Sequence, residues 1–252
     1  MFIIKLVEKE TLNKMENLYI VMPAYNEEEN IRDVVMQWYP ILEGKGKKSK
    51  LVIADSGSQD NTHKILVKLK KEYPQLDILS DTDKQHGPKL IALYDYAIKN
   101  GIDYVFQTDS DGQTNPDEFA EFWKLRKKYS AILGNRTVRG DGKSRAFVEK
   151  VVCFLLKMYF GVKVPDANAP FRLMKVNVVK KYLYKMDKDY NLPNIMLTTY
   201  FKYYDEKVCF KEISFKPRQA GTNSINIKKI VKIGFKAIGD FRNFKKDMKN
   251  ND

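Results

Sequence analysis

Between residues 17 and 135 the chain alternates short apolar runs with amphipathic stretches, and this alternation restricts its fold more than any other feature. The apolar runs "LYIVMP", "LVIAD", "LDIL" and "IDYVFQ" have the length and the β-branched content of buried parallel strands. The stretches between them place apolar residues three and four positions apart, as a helix does. Strands that alternate with helices predict an α/β fold of Rossmann-like type, with an open, mostly parallel sheet flanked by helices.

Polar clusters follow the first, second and fourth predicted strands. Their sequences are "PAYNEE", "DSGSQD" and "DSDGQ". The carboxyl ends of parallel strands meet at one edge of a sheet, and ligands bind in the crevice there. The sequence therefore predicts one ligand site formed by all three clusters. The alternative is a structural role, with Asn26 and either Ser58 or Asp60 capping the helices that follow.

The third cluster contains Asp109 and Asp111, one residue apart, with Gln113 two places further on. Mg²⁺ and Mn²⁺ prefer oxygen ligands and are often held by one or two carboxylates together with substrate phosphates. The pair is thus predicted to hold a divalent cation against a diphosphate, and the Gln113 carbonyl can orient a ligand or bind the metal. The alternative is that both carboxylates accept turn hydrogen bonds before a helix that starts with Pro.

The second cluster offers groups for a nucleotide. Asp55 stands at the end of its strand, where it can accept hydrogen bonds from a base or ribose. Gly57 lets the backbone approach a ligand closely because it has no side chain. No role is assigned to His63 or His86.

The charge of the chain indicates an anionic partner. Its 252 residues carry a formal net charge of +13, which fits nucleic acid, anionic lipid or a phosphorylated small molecule. Two cysteines, Cys153 and Cys209, are too few for a disulfide framework. No uncharged run approaches the roughly 18 residues of a membrane span, and no signal peptide is evident, so a cytoplasmic location is expected.

The sequence pattern changes from residue 146 and again from residue 227. We expect an N-terminal appendage at 1–16 and a main domain at 17–226, in which 17–135 bind the nucleotide and 136–226 the acceptor. Residues 227–252 combine a helical apolar stripe with many lysines, which predicts a basic amphipathic helix. This helix either lies on an anionic membrane surface or packs its stripe on the main domain.

Taken together, "VMPAYNEEENI", "IADSGSQDNT" and "TDSDGQ" resemble the family-2 glycosyltransferases in order and spacing. The resemblance implies a GT-A fold, a nucleotide-diphospho-sugar donor (a UDP- or GDP-sugar), Mn²⁺ or Mg²⁺, and transfer that inverts the anomeric centre, as is usual in the family. It assigns the donor and metal site to Pro23, Ala24, Tyr25, Glu27, Asp55, Lys89, Asp109 and Asp111.

Later motifs are similar to the dolichol- and polyprenyl-phosphate mannose synthase branch. That branch uses Asp-x-Asp-x-Gln, which makes Gln113 a third metal contact. "GNR", "DANAPFRL" and "EISFKPRQAGTNSI" resemble its acceptor-side motifs. The resemblance assigns this side to Arg136, Asp166, Phe171, Arg172, Arg218, Gly221 and Ser224. Of these, Asp166, Arg136, Arg172 and Arg218 are the predicted catalytic residues. The chain departs from the branch at Pro170, which stands where Gly is usual, and at Ile225, which stands where Lys is usual.

Two acceptors remain open at this point. A sugar hydroxyl needs a carboxylate base within about 3 Å, and Asp166 could serve a glycan or lipid-linked sugar in that way. A polyprenyl phosphate is already anionic and needs cations that reduce its repulsion from the donor. Arg136, Arg172 and Arg218 favour this acceptor and a peripheral position on the inner membrane face. A third alternative is a nucleotide- or nucleic-acid-binding protein without transfer activity. Nucleic acid is not expected, because the acid-rich strand ends would repel a polyanion.

Overall fold

The computed structural model describes residues 15–139, 143–217 and 238–248. The strands are β1 (Leu18–Ala24), β2 (Lys50–Asp55), β3 (Leu76–Leu79), β4 (Tyr104–Thr108), β5 (Ala131–Arg139), β6 (Phe171–Lys175) and β7 (Val208–Phe215). The helices are α1 (Ile31–Trp38), α2 (Thr62–Glu72), α3 (His86–Lys99), α4 (Phe119–Leu125), α5 (Lys143–Phe160), α6 (Val176–Leu183), α7 (Pro193–Tyr203) and α8 (238–248).

The strands form one open sheet in the order β3-β2-β1-β4-β6-β5-β7. Among the strands in the described residues, only β6 runs antiparallel to its neighbours, so the predicted mostly parallel α/β sheet is confirmed. Because β6 is reversed, its first residue, Phe171, lies opposite Thr108 at the end of β4. The carboxyl ends of the parallel strands and the beginning of β6 therefore share one edge of the sheet.

Two apolar cores lie on opposite faces of the sheet. One packs under α1, α2 and α4, where Trp38 stacks on Phe106 with ring centroids 5.3 Å apart. The other packs under α3 and α5–α8 and includes Leu93 and Leu156. Side chains alternate between the two faces of each strand, so burial on both faces explains the continuous apolar runs in the sequence.

The predicted caps are not the residues at which the two helices begin. Helix α2 begins at Thr62 after Asn61, whose side chain makes no capping hydrogen bond, although Asp60, one residue earlier, accepts from the Thr62 N–H (2.9 Å). Asn26 likewise does not cap α1, which begins at Ile31. Asn26 adopts a left-handed conformation (φ 55°), and its Oδ1 accepts from the Gln59 N–H. It therefore connects the loops after β1 and β2.

The described part of the predicted C-terminal helix, 238–248, is helical and packs on the main domain. Phe241 and Met248 are buried, and the Phe241 ring lies 5.7 Å from that of Phe160 in α5. This packing agrees with the second alternative for this segment. Across the described ranges, no helix combines the length and the apolar character needed to cross a bilayer.

Asp77 on β3 provides a test of stability against pH. Burial raises the pKa of this carboxyl, but hydrogen bonds from Lys70, Lys50 and Tyr96 outweigh burial and leave the pKa well below its usual range. A depressed pKa stabilises the folded state above the unfolded pKa of about 3.9, and this contribution is lost as the pH falls.

We therefore expect Asp77→Asn to lower the free energy of unfolding by about 1 kcal/mol at neutral pH. The difference in this free energy between variant and wild type should narrow below about pH 3. Urea unfolding across this pH range measures the effect. Asp81→Asn, at an exposed position, is the control. A gap that stays constant with pH would contradict the assignment.

Candidate functional site

The end of β1 is tied to two other elements of the site edge. The Pro23 carbonyl accepts from Ser110 Oγ (2.8 Å), and the Ala24 carbonyl accepts from Lys89 Nζ. Lys89 is buried, and its ammonium lies 5.4 Å from the centroid of the half-exposed Tyr25 ring. Burial lowers the pKa of Lys89, while Asp55 acts in the opposite direction. The structure thus places a cation among three of the predicted donor residues.

The loops after β1 and β2 are held together by hydrogen bonds. The N–H groups of Asn26, Glu27 and Glu28 donate to Ser58 Oγ, Thr62 Oγ1 and Asp60 Oδ2. Backbone groups that are already paired need no rearrangement when a ligand enters, so the two loops form a pre-organised wall.

Asp55 is buried within this wall. Ser58 Oγ donates to one of its oxygens, and His63 Nδ1 lies 3.1 Å from the other. Gly57 has a φ of 78°, a conformation that favours glycine. Glu27 is also buried and accepts from Asn30 Nδ2.

The acidic pair follows β4 at the same edge. Asp109 Oδ1 accepts from Gln107 Nε2 (3.2 Å) and lies 3.8 Å from His86 Nε2. Asp111 Oδ1 accepts from the Gln113 N–H (3.1 Å). Surrounding protein and the Lys89 charge lower the pKa of His86. Half of this side chain is exposed, and the lowered pKa disfavours the charged form of the imidazole beside Asp109.

The carbonyl of the Gln113 side chain is the group that remains for a ligand. The side-chain nitrogen of Gln113, Nε2, donates to the backbone carbonyl of Lys216 (2.7 Å). The Lys216 N–H donates in return to the backbone carbonyl of Gln113 (2.8 Å). These bonds fix the loop of the acidic pair to the end of β7. The amide orientation therefore directs its nitrogen toward Lys216, which makes Oε1 the potential metal ligand.

The chemistry of this donor set fits a divalent cation that shares its coordination with a substrate. In the described residues no three His, Cys, Asp or Glu side chains cluster in a way that could hold a metal ion. Asp109, Asp111 and Gln113 nevertheless supply hard oxygen donors, the type that Mg²⁺ and Mn²⁺ prefer. A partial protein shell of this kind suits an ion completed by phosphates and water.

A buried chain of hydrogen bonds ends at Asp109. Tyr94 Oη donates to Asn194 Oδ1 (2.7 Å), Asn194 Nδ2 donates to Gln107 Oε1 (3.0 Å), and Gln107 Nε2 donates to Asp109. Burial raises the pKa of Tyr94, so its hydroxyl remains a donor at neutral pH. Each donor in this relay points toward the carboxylate, which fixes the orientation of Asp109.

Tyr94→Phe tests this relay with little change in volume. It leaves the Asn194 carbonyl without its hydroxyl donor, and we expect the free energy of unfolding to fall by about 1 kcal/mol. We also expect Mn²⁺ to bind several-fold more weakly, since partners that orient a ligand affect metal affinity by about tenfold or more when removed. Mn²⁺ electron paramagnetic resonance and urea unfolding measure the two effects. If Mn²⁺ affinity and the free energy of unfolding are both unchanged, the relay neither orients Asp109 nor stabilises the fold.

Arg136 and Asp166 form a buried ion pair at the other end of the edge. Arg136 Nε lies 2.7 Å from Asp166 Oδ2, and its Nη2 lies 2.9 Å from Oδ1. Asp166 also accepts from the Asn168 N–H. The same guanidinium lies 3.5 Å from Glu149 of α5, whose pKa is raised by burial and by the nearby Asp166. One cation thus serves two adjacent carboxylates.

Arg172 is 1% exposed and bonds to protein groups. Its Nη1 donates to the Ala167 carbonyl (3.3 Å) and its Nη2 to Thr198 Oγ1 (2.7 Å). Within the described part of the chain, Nε has no hydrogen-bond partner. Burial lowers the pKa of this guanidinium. These two hydrogen bonds connect the loop before β6 to helix α7. The catalytic role predicted for Arg172 stays a prediction.

Several residues around the site were not found by sequence analysis. His63 and His86 lie beside Asp55 and Asp109, although neither had been assigned a role. Glu149 and Asn194 were also missed. Pro193 at the start of α7 is a helix signal in the sequence, but it does not reveal which strand the helix covers. Arg218, Gly221 and Ser224 lie outside the described residues.

Comparison with known protein families identifies the family of this chain. The model of "Glycosyl transferase family 2" matches residues 19–183, more than half of the chain, and this range contains the acidic pair and Asp166.

The chain belongs to glycosyl transferase family 2.

Curated relatives of this family 2 chain share limited identity with it. It is 26% identical over 165 residues to an undecaprenyl-phosphate 4-deoxy-4-formamido-L-arabinose transferase of Shewanella sediminis, covering 65% of this chain and 50% of the relative. It is 27% identical over 169 residues to an uncharacterised glycosyltransferase of Synechocystis, covering 64% and 51%. The chain thus spans about half the length of these relatives.

Solved structures confirm the GT-A fold. Glucosyl-3-phosphoglycerate synthase from Mycobacterium tuberculosis, in complex with UDP, aligns with a TM-score of 0.59 at 14% identity, covering 85% of this chain and 75% of that one. TarS from S. aureus, in complex with UDP, gives a TM-score of 0.54 at 16% identity, covering 80% and 60%.

Proposed function

We propose that this chain is a metal-dependent glycosyltransferase that moves a sugar from a nucleotide-diphospho-sugar to a polyprenyl phosphate. The observation that carries the proposal is the convergence of Asp55, the acidic pair and the Arg136–Asp166 pair at one sheet edge. A family 2 chain with carboxylates at one end of this edge and a buried arginine at the other has separate regions for a donor and an acceptor.

The donor end would hold a UDP- or GDP-sugar. In this proposal Asp55 and Tyr25 frame the nucleoside, while Pro23, Ala24, Glu27 and Gly57 shape the wall around it. Asp109, Asp111 and Gln113 would hold Mn²⁺ or Mg²⁺ against the diphosphate, where a bound metal ion neutralises charge on the leaving group. Structures of the mycobacterial synthase with Mn²⁺ and UDP-glucose support this assignment, as does the cation of Lys89 nearby.

The acceptor end favours a phosphate over a hydroxyl. Both Asp166 oxygens accept hydrogen bonds from Arg136, and a third bond comes from the Asn168 N–H. A general base needs an oxygen directed at the acceptor proton, so a carboxylate held in this way is better suited to orienting Arg136. A phosphate acceptor needs no base, and relatives named as undecaprenyl-phosphate transferases point to the same chemistry.

The proposed reaction is a single displacement. An oxygen of the acceptor phosphate attacks the anomeric carbon from the face opposite the diphosphate. A bond forms between them as the bond to the diphosphate oxygen breaks, and the nucleoside diphosphate leaves with that electron pair, which inverts the anomeric centre. Because both reactants are anions, Lys89 and Arg136, with Arg218 as a further predicted cation, would reduce the repulsion between them.

Nucleotide binding tests the donor half of this proposal. We expect UDP or GDP to raise the melting temperature of the full chain in the presence of Mn²⁺, with a smaller rise without the metal. Comparison of the two nucleotides would identify the donor class, and a donor-hydrolysis screen would then identify the sugar. Absence of a shift with every nucleotide would contradict the proposal.

Asp166→Asn tests the acceptor half. A hydroxyl acceptor predicts a fall in kcat of several orders of magnitude, whereas a phosphate acceptor predicts a milder effect. The substitution also weakens a buried ion pair, so unfolding must be measured alongside, and turnover compared only at a temperature where both proteins are folded. Loss of turnover in a fully folded variant would favour a glycan or lipid-linked sugar hydroxyl as the acceptor.

A further inference from the structure

Helix α5 exposes an apolar stripe to solvent. Its members are Phe147, Val151, Phe154 and Met158, whose exposed fractions are 68%, 40%, 61% and 57%. Their spacing of four, three and four residues places all of them on one side of the helix. Lys150 and Lys157 are also exposed and border this side. We name these six residues the α5 stripe.

The opposite side of α5 packs the helix onto the domain, and this packing does not involve the stripe. Leu156 and Phe160 are buried in the core under α3 and α5–α8. Glu149, the one acidic residue of the helix, accepts from the Ala167 N–H (2.7 Å) and contacts Arg136. The helix is therefore already anchored on its inner side, and the apolar side chains of the stripe have no part in that packing.

Two exposed lysines, Lys150 and Lys157, border the apolar residues of the stripe. In the described ranges neither Lys150 nor Lys157 forms an ion pair, so both ammonium groups are available to an external anion. A cavity of about 530 Å³ adjoins α5 at Tyr159. Its lining comprises Tyr159, Gly239, Arg242, Asn243, Lys245 and Lys246. Among the described residues, three cations and no carboxylate line this space.

We propose that the α5 stripe docks on an anionic lipid bilayer. This proposal rests on the proposed function, in which the acceptor is a lipid. Phenylalanine and methionine side chains on one side of a helix insert at the boundary between headgroups and acyl chains. Lysines at the border of the stripe reach the headgroup phosphates while their methylene stems remain in contact with apolar surface. A bilayer satisfies both the apolar and the cationic parts of this surface.

The inner contacts of α5 connect the docking surface to the acceptor end of the site. Glu149 bonds to the backbone next to Asp166 and contacts Arg136, so the helix that meets the bilayer also carries one wall of the Arg136–Asp166 pair. A chain docked in this orientation would hold its acceptor end near the level of the lipid headgroups, where the phosphate of a polyprenyl phosphate lies.

Vesicle co-sedimentation of the full chain tests the docking surface. The vesicles contain phosphatidylcholine alone or with about one-third phosphatidylglycerol. We expect binding to the anionic vesicles that weakens with salt. Phe154→Ser with Met158→Ser should lower the partition coefficient at least about tenfold, and Lys150→Gln with Lys157→Gln about tenfold. The matched controls, Met36→Ser with Val67→Ser and Lys68→Gln with Lys71→Gln, lie at exposed positions elsewhere and should bind as wild type does.

The outcomes separate this proposal from the proposed function. Nucleotide-dependent stabilisation should be unchanged in all four double variants, because none alters the donor site. Equal vesicle binding by wild type and both stripe variants would overturn the docking surface while leaving the transferase assignment intact. Absence of wild-type binding to anionic vesicles would also overturn it, as would a wild-type dimer that the Phe154→Ser with Met158→Ser variant dissociates.

Discussion

Asp111→Asn is expected to abolish the Mn²⁺-dependent stabilisation by nucleotide and to lower sugar transfer by about 100-fold or more. The substitution preserves the shape of the side chain and removes its charge. Asn therefore keeps an acceptor for the Gln113 N–H, but a neutral amide is a much weaker ligand for a hard divalent cation. Thermal unfolding with UDP or GDP, with and without Mn²⁺, measures binding, and product formation measures transfer.

A matched control lies six residues further along the chain. Asp117 is exposed in the turn that precedes α4, so Asp117→Asn makes the same chemical change outside the proposed site and should respond as wild type does. The folded state of the Asp111 variant should melt at nearly the wild-type temperature without nucleotide. A variant that retains a full Mn²⁺-dependent shift would exclude Asp111 as a metal ligand.

Arg136→Met is expected to lower the free energy of unfolding by about 3–5 kcal/mol, the range for removal of one partner from a buried ion pair. The variant leaves the carboxylates of Asp166 and Glu149 close together without the cation that both contact. Burial and the nearby Asp166 already raise the pKa of Glu149 in the wild type. Without Arg136 the anionic forms would be still less favourable, and transfer would also be lost.

The pH dependence of this loss follows from the direction of the pKa change. A carboxyl whose pKa is raised in the folded state destabilises the folded protein at a pH above that pKa. Protonation of the carboxyl removes this destabilisation as the pH falls. We therefore expect the gap between Arg136→Met and wild type to narrow toward about pH 4–5. Urea unfolding at several pH values measures this gap.

A second substitution distinguishes the buried charge from lost packing. Arg136→Met combined with Asp166→Asn removes one of the two carboxylates and should be more stable than Arg136→Met alone, because the two residues are directly coupled. Arg32→Met, on the exposed side of α1, is the control for the substitution itself. An Arg136→Met variant within about 0.5 kcal/mol of wild type would contradict the ion-pair interpretation.

The sequence by itself determined the type of fold and the edge that carries the site. Strand and helix periodicities are local, since they depend on which side chains share a face within a few residues. The polar clusters that contain Asp55 and Asp109 follow their strands directly, so their common location follows from a parallel sheet alone. The buried face of α1 was predicted because it depends on local periodicity. The start of α1 was not predicted, because the Asn26 side chain bonds to the loop after β2 and does not cap the helix.

Only the tertiary structure decided which groups meet across that edge. The reversal of β6 sets Arg172 beside Gln107, and Asn194, 87 residues from Gln107, completes the relay to Asp109. The pairing of Asp166 with Arg136, rather than with an acceptor proton, was likewise not evident from either motif. No local pattern specifies such partners, because a buried polar group is satisfied by whichever element packs over it, and that choice depends on the whole core.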